Sequence, residues 1–360
     1  MKRRQFVQTL GAGSAVAGLG LLGGCASTGG NSAKVVVIGG GYAGATAAKY
    51  VRMFSDYQID VTLIEPNAMF VSCPISNLVV GGHKTMADIT TPYDNLSKRH
   101  GVRLVRDRVD SIDATKRTVK LAGGAELPYD RLIVSPGVDF MWETLPGMAK
   151  DGAKDKVLHA WKAGAQTVAL RKQLEAMPDG GVYALAIPLA PYRCPPGPYE
   201  RACLVADFLK NYKGSASKVI ILDENASIQA EVDNFTYAFN SIHRGVIDYR
   251  PGVTNIQINP DTKVVTYTDQ LLVSQSINAQ VVNPIPPHRA AGSAPGLHAR
   301  AVDDQVGPRG ILDLPLPDMD EGQHDAQEEG VGTLVPREAG ADVATQARRA
   351  DGDPGGAEED

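Results

Sequence analysis

Residues 34–65 constrain this chain more than any other stretch. Val35, Val36, Val37 and Ile38 are four β-branched apolar residues in succession, the pattern of a strand buried on both faces of a parallel sheet. Gly39, Gly41 and Gly44 then form G-x-G-x-x-G where strand should turn into helix. Residues 43–50 are small and helix-forming, and residues 59–64 read as a second strand that runs into Glu65. Glu65 stands about 20 residues past the last glycine, where the ribose-binding acid of a dinucleotide fold belongs. Gly39 allows the tight turn, Gly41 lets backbone approach a pyrophosphate, and Gly44 lets helix pack on strand, with the phosphates at a positive helix end. Glycines alone serve many ordinary turns. Here strand, glycines, helix, strand and acid occur in register, which predicts a bound adenine dinucleotide and leaves FAD or NAD open.

The chain has 360 residues, 43% of them hydrophobic and 21% charged, with a formal net charge of -5. That suffices for two domains with cores of their own. The mildly acidic balance argues against nucleic acid as a partner. Four cysteines, Cys25, Cys73, Cys194 and Cys203, are too few for a disulfide scaffold, so each needs its own explanation. No metal-ligand spacing stands out.

Residues 1–25 read as an export signal. The chain opens Met-Lys-Arg-Arg, and residues 11–24 are apolar and rich in Gly and Ala, too short a run to cross a bilayer as a helix. Arg3-Arg4 followed by Phe6 resembles a twin-arginine signal, the route of proteins exported already folded with their cofactor. Leu22-Gly23-Gly24-Cys25 resembles a bacterial lipobox, which would make Cys25 a lipid anchor. Residues 26–33 read as a polar linker. The expected location is periplasmic.

Cys73 follows Glu65 by eight residues and falls in a loop at the carboxyl edge of the expected sheet, where ligands of open α/β folds bind. A buried core cysteine is the common alternative. Pro74 and Ser76-Asn77 suggest a shaped loop, hence a redox or flavin-linked thiol. Residues 102–109, 111–113 and 118–121 read as short strands of a meander. They lead to Tyr129-Asp130, an apolar strand, and Ser135-Pro136-Gly137. This pattern resembles the second signature of two-dinucleotide flavoproteins, with Gly137 letting backbone pass close to the cofactor. It tips the cofactor to FAD and completes a candidate FAD-binding domain at 34–150.

Residues 151–270 repeat the order strand, turn, helix, strand, acid. Residues 167–177 read as helix, 181–187 as strand, 199–213 as helix and 218–223 as strand. The turn between strand and second helix holds Arg193-Cys194-Pro195-Pro196-Gly197-Pro198 in place of a glycine fingerprint. Proline has no N–H for a phosphate and its ring blocks close approach, so this Rossmann-like unit is expected not to hold a nicotinamide nucleotide. Cys194, beside Arg193 and a helix amino end, is expected to favour the thiolate; an inert structural cysteine is the alternative. Cys203, nine residues on along the helix, would lie roughly 13 Å away. It reads as core.

These residues resemble the flavoprotein subunit of flavocytochrome c sulfide dehydrogenase, within the wider group of sulfide:quinone oxidoreductases and disulfide reductases. The pieces that carry the likeness are Ile64-Glu65-Pro66-Asn67, Cys73 with Ser76-Asn77, His159-Ala160-Trp161-Lys162-Ala163-Gly164, and Arg193-Cys194-Pro195-Pro196-Gly197-Pro198-Tyr199-Glu200-Arg201. Val282-Asn283 with Ile285-Pro286-Pro287 adds a return segment, 271–287, toward the FAD domain. The resemblance implies an α/β fold of two Rossmann-like dinucleotide-binding domains, as in glutathione reductase. It implies FAD bound covalently through Cys73, and Cys194 as the catalytic thiol in a redox disulfide with a cysteine near the carboxyl terminus. Hydrosulfide would attack that disulfide and leave a persulfide. Electrons would then pass through FAD to haem c on a partner c-type cytochrome subunit.

Residues 288–360 depart from that pattern. They contain no Phe, Trp, Tyr or Cys and are rich in Ala, Gly, Asp, Glu, Pro and Arg, a composition that predicts disorder. The third FAD segment and second redox cysteine that the resemblance calls for are not found there, and the switch resembles out-of-frame translation of a GC-rich gene. Two other readings therefore stand beside the sulfide dehydrogenase. One is an enzyme of the sulfide:quinone oxidoreductase kind; the other is an inactive, truncated product.

Overall fold

The computed structural model describes residues 32–214 and 216–291, all within one contact unit. The export signal, the lipobox with Cys25 and the tail beyond residue 291 lie outside the described residues.

The four β-branched residues become the strand Lys34–Ile38, and their alternation explains why all four must be apolar. Val35 and Val37 face Ala48 of the following helix, together with Val61, Leu63, Tyr93 and Val102. Val36 faces the other way, onto Ile64, Val119, Leu121, Tyr129 and Leu132. Each fully buried side chain of this size contributes roughly 2 kcal/mol. The strand pairs in parallel with Asp60–Ile64 on one side and Arg131–Val134 on the other, and Arg103–Val105 extends the sheet beyond Asp60–Ile64. Residues 103–105 thus belong to the parallel sheet, not to the meander expected for 102–121. Val102 is buried under the helix and pins the strand there. The antiparallel meander is Val109–Asp113, Thr118–Leu121 and Glu126–Pro128, and it covers the face that Val36 presents.

The second lobe repeats this plan. Its parallel sheet runs Ile247–Arg250, Lys218–Asp223, Val182–Ile187 and Val281–Pro284. Tyr183, Leu185 and Ile187 point to the helical side, against Leu170, Leu174, Tyr199, Val205 and Leu209. Ala184 and Ala186 point to a second antiparallel meander of Thr254–Ile258, Val264–Thr268 and Ser274–Asn278.

Two expected boundaries move. Leu145 and Met148 are buried in the second lobe's core, so that lobe begins before residue 151. Ser274–Asn278 and Val281–Pro284 also belong to it, so the return starts after Pro284, not at 271. It is made by His288–Ala290, which pairs antiparallel with Val138–Phe140. Disorder from residue 288 is therefore corrected: His288, Arg289 and Ala290 form a strand. The outward and return crossings lie side by side, joined further by Met141 N–H to Pro287 O (2.8 Å) and Ala291 N–H to Gly137 O (3.0 Å). Among the described residues no helix is long and apolar enough to cross a membrane.

Candidate functional site

The glycine turn has the geometry its spacing demands. Gly39 has φ +92°, and a Cβ there would stand 2.1 Å from the Ser135 carbonyl oxygen; a Cβ on Gly44 would stand 1.9 Å from the Gly39 carbonyl oxygen. Both sites are closed to any side chain. Gly41 and Gly137 are different, since a Cβ on either meets nothing within 4 Å. Gly41 precedes the helix Tyr42–Phe54, whose first turn carries neither a side-chain cap nor an acid, so its amino end keeps its positive character. The Glu65 carboxylate folds back on the loop. Its Oε2 accepts from Gly40 N–H (2.7 Å) and its Oε1 from the Asn67 backbone and amide (2.8 and 2.6 Å). The Tyr93 hydroxyl, pushed up to about 12 by burial and by Glu65, donates to Gly40 O.

Cys73 is brought to this loop from the side. The hydroxyls of Tyr42, at the helix start, and Ser72 lie 2.6 Å apart. Ser76 then donates through both N–H and hydroxyl to the Cys73 carbonyl (3.1 and 2.6 Å). The Cys73 thiol is half-buried and accepts from Ala163 N–H at 3.4 Å.

Cys194 comes from the other lobe, on the turn before the helix Gly197–Tyr212. Its φ is +63°, and its carbonyl accepts from Gly197 N–H (2.9 Å). A Cβ on Gly197 would stand 3.1 Å from Cys194 Sγ and 2.8 Å from the Trp161 ring, so thiol and indole pack beside one another there. Arg193 donates to the Trp161 carbonyl. The expected thiolate preference of Cys194 is not what the turn produces. Burial pushes the thiol up and Glu200 adds to that, while the Gly197 N–H, Arg193 and Arg201 only partly oppose them. Cys203 is packed against the core and pushed up to about 12, first by burial.

The rest of the turn is closed by the protein itself. Glu224 and Asn225, just past the second strand, accept from Leu189 and Ala190 N–H (2.9 Å each). Asp223 is buried and accepts from Tyr199, Tyr249 and Asn225. Residues just past this strand thus hold the chain's own loop, with Asp223 the most fully engaged and Glu224 bound through one oxygen.

Sequence reasoning assigned no role to the residue that links the two cysteines. Arg201 is 1% exposed. It donates to Asn77 Oδ1 (2.9 Å), His159 O (2.8 Å), Asn283 Oδ1 (3.0 Å) and Ala160 O (2.8 Å), with its guanidinium 4.9 Å from the Trp161 ring centre. The signal was an arginine set in the buried stripe of Ala202, Val205, Phe208 and Leu209. His159, beside it, is driven down to about 3 by burial and then by Arg201, so it is a neutral acceptor, through Nδ1, of the Trp161 backbone N–H (2.8 Å). Segment 159–163 therefore touches Arg201, the Cys194 turn and the Cys73 thiol in five residues.

Comparison with known proteins matches residues 33–176 to the pyridine nucleotide-disulphide oxidoreductase family. Residues 167–286 match the central part of the sulfide dehydrogenase [flavocytochrome c] flavoprotein chain. The chain is 56% identical over 46 residues to the sulfide dehydrogenase [flavocytochrome c] flavoprotein chain of Chlorobaculum thiosulfatiphilum, covering 94% of that sequence and 13% of this one. The chain belongs to this flavoprotein family. Mitochondrial sulfide:quinone oxidoreductase of Dictyostelium discoideum is 24% identical over 184 residues, 51% of this chain and 40% of that enzyme. The sulfide:quinone oxidoreductase structure from Aquifex aeolicus shares the fold, with a TM-score of 0.59 and 22% identity over 78% of this chain and 63% of the other. The chain thus spans less than two thirds of either oxidoreductase.

Membership in the family implies FAD, and the residues present fit it. The open fronts of Gly41 and Gly137 leave room beside the uncapped helix end for a pyrophosphate. Glu65 Oε2 accepts a single hydrogen bond and keeps capacity for a ribose hydroxyl.

Proposed function

We propose that this chain is the flavoprotein of a sulfide dehydrogenase, oxidising hydrosulfide and delivering the electrons to a partner c-type cytochrome. The observation that carries the reading is the arrangement of Cys73, from the glycine-loop lobe, and Cys194, from the second lobe, at either end of segment 161–163. FAD, when bound, supplies a two-electron acceptor next to the sulfur chemistry. Gly39, Gly41, Gly44, Ser135 and Gly137 would hold it, with Glu65 on its ribose and Cys73 as the covalent tether. Cys194 is the residue assigned to take the substrate sulfur. Its thiol is half-buried, with Arg193, Arg201 and the Gly197 N–H beside it, though burial and Glu200 outweigh them and hold the thiol up. The self-closed loop at Leu189 and Ala190 supports hydrosulfide, not a nicotinamide nucleotide, as the electron source.

The Dictyostelium and Aquifex relatives support a second acceptor, a quinone. Arg3-Arg4 and Cys25 support export to the periplasm, with lipid anchoring at Cys25.

Acid denaturation tests the tether. The purified chain is expected to retain yellow flavin on the precipitated polypeptide, and Cys73→Ala is expected to release it into the supernatant. Release from both proteins would overturn the thioether and favour the quinone-type relative.

A further inference from the structure

We propose that the indole N–H of Trp161 is a built-in hydrogen-bond donor for sulfur carried on Cys194, holding the outer, anionic sulfur of a persulfide there. This deepens the proposed function and rests on Cys194 being the thiol that takes the substrate sulfur. Trp161 is 6% exposed, and its backbone groups are already engaged. Its backbone N–H donates to His159 Nδ1 (2.8 Å), and its carbonyl accepts from Arg193. The indole nitrogen is buried too, yet it has no hydrogen-bond partner among the described residues. A buried donor left unmet is costly, and in a folded chain it calls for a specific explanation.

The ring itself shows which way that donor faces. A Cβ on Gly197 would stand 2.8 Å from Trp161 Cη2, 3.4 Å from Trp161 Cζ2 and 3.1 Å from Cys194 Sγ. In an indole, Cζ2 is bonded to Cε2, the carbon that bears the nitrogen. Trp161 therefore turns its nitrogen-bearing edge toward the thiol. The ring is also held there. The Arg201 guanidinium lies 4.9 Å from the ring centre and donates to the preceding carbonyl, that of Ala160 (2.8 Å). Ala160 and Cys194 both keep left-handed backbone, with φ of +44° and +63°, a state that persists in non-glycine residues only where the surroundings fix it. Donor and thiol are thus set in place before any substrate arrives.

A persulfide uses this donor better than the thiol does. Burial keeps the resting Cys194 thiol protonated, and a neutral thiol gains little from one more donor. An added sulfur extends the side chain by one S–S bond of about 2 Å. Persulfides are more acidic than thiols, so the added atom carries the negative charge at its outer end, where a hydrogen bond is strengthened by that charge. An indole suits the task because its nitrogen donates only and does not titrate.

The test uses the full, flavin-bearing chain labelled with heavy nitrogen in tryptophan. The sequence has two tryptophans, Trp142 and Trp161, so two indole N–H resonances are expected, and Trp142→Phe assigns them. Glutathione persulfide, RS–SH, loads the thiol. The Cys194 thiolate attacks the outer sulfur, the new S–S bond forms as the old one breaks, and RS⁻ leaves with the electron pair, with no net oxidation. Mass spectrometry locates the added sulfur. On loading, the Trp161 resonance is expected to move downfield and the Trp142 resonance to stay. Trp161→Phe keeps a ring beneath Arg201 and removes the donor. Its persulfide is expected to form and to be reduced by dithiothreitol about tenfold faster. Should that variant fail to fold, the resonance decides alone. An unmoved Trp161 resonance in a chain that carries the Cys194 persulfide would overturn the proposal and leave the proposed function standing. Failure of Cys194 to accept sulfur at all would overturn both.

Discussion

Replacing Cys194 by serine is expected to cut sulfide-driven flavin reduction by ~10³-fold or more while leaving flavin bound. Serine is close to cysteine in size and is not β-branched, so it should bear the left-handed φ of +63° about as cysteine does and the turn should survive. What disappears is the polarisable sulfur that can bond to another sulfur. Cys203→Ser is the control. Cys203 is packed on the core and its thiol is pushed up to about 12, so its replacement should change turnover by less than about twofold, with any loss appearing as stability. Equal losses in the two variants would remove Cys194 from the chemistry. Stopped-flow mixing with sulfide, following the flavin band, separates these outcomes.

The glycine turn gives the second large effect, and its members should fail differently. Gly44→Ala places a methyl 1.9 Å from the Gly39 carbonyl oxygen, a clash with backbone that no rotamer relieves. Helix must leave strand, at a cost of about 3 kcal/mol or more. Melting temperature and flavin content should fall together. Gly41→Ala meets nothing of the protein within 4 Å, so the fold should melt as before. Flavin affinity should nevertheless drop by about tenfold or more, because the methyl enters the space left for the pyrophosphate. Flavin content after gel filtration, set beside thermal melting, reads both. A Gly41→Ala chain that keeps full flavin would show that the open front is not the phosphate site.

Much of this was legible in the sequence because the constraints are local. Residues 35–38 announce a strand buried on both faces, and Gly39, Gly41 and Gly44, set between that strand and a helix-forming run, announce the turn. The second lobe was readable for the same reason, through residues 182–187 and 218–223. The misreadings fall where partners are distant in sequence. Residues 103–105 look like any short strand, and only Asp60–Ile64 draws them into the parallel sheet. His288–Ala290 has the composition of its disordered-looking surroundings, yet Val138–Phe140 offers it an edge to pair with. The acidity of Cys194 was misjudged because sequence displays Arg193 and a helix end but not the burial that outweighs them. Arg201 was overlooked as a site residue because its partners Asn77, His159 and Asn283 come from three other segments.

The central claim is that Cys194 and the flavin site of this chain form one sulfide-oxidising centre. Anaerobic titration of the purified, flavin-bearing chain with sulfide addresses it most directly, with absorbance followed in the visible flavin band. Bleaching of that band by sulfide, insensitivity to NADH and recovery on adding oxidised c-type cytochrome are the expected results. Bleaching by NADH with none by sulfide would contradict the account, since it would mean that the closed turn at Leu189–Ala190 opens to a nicotinamide after all.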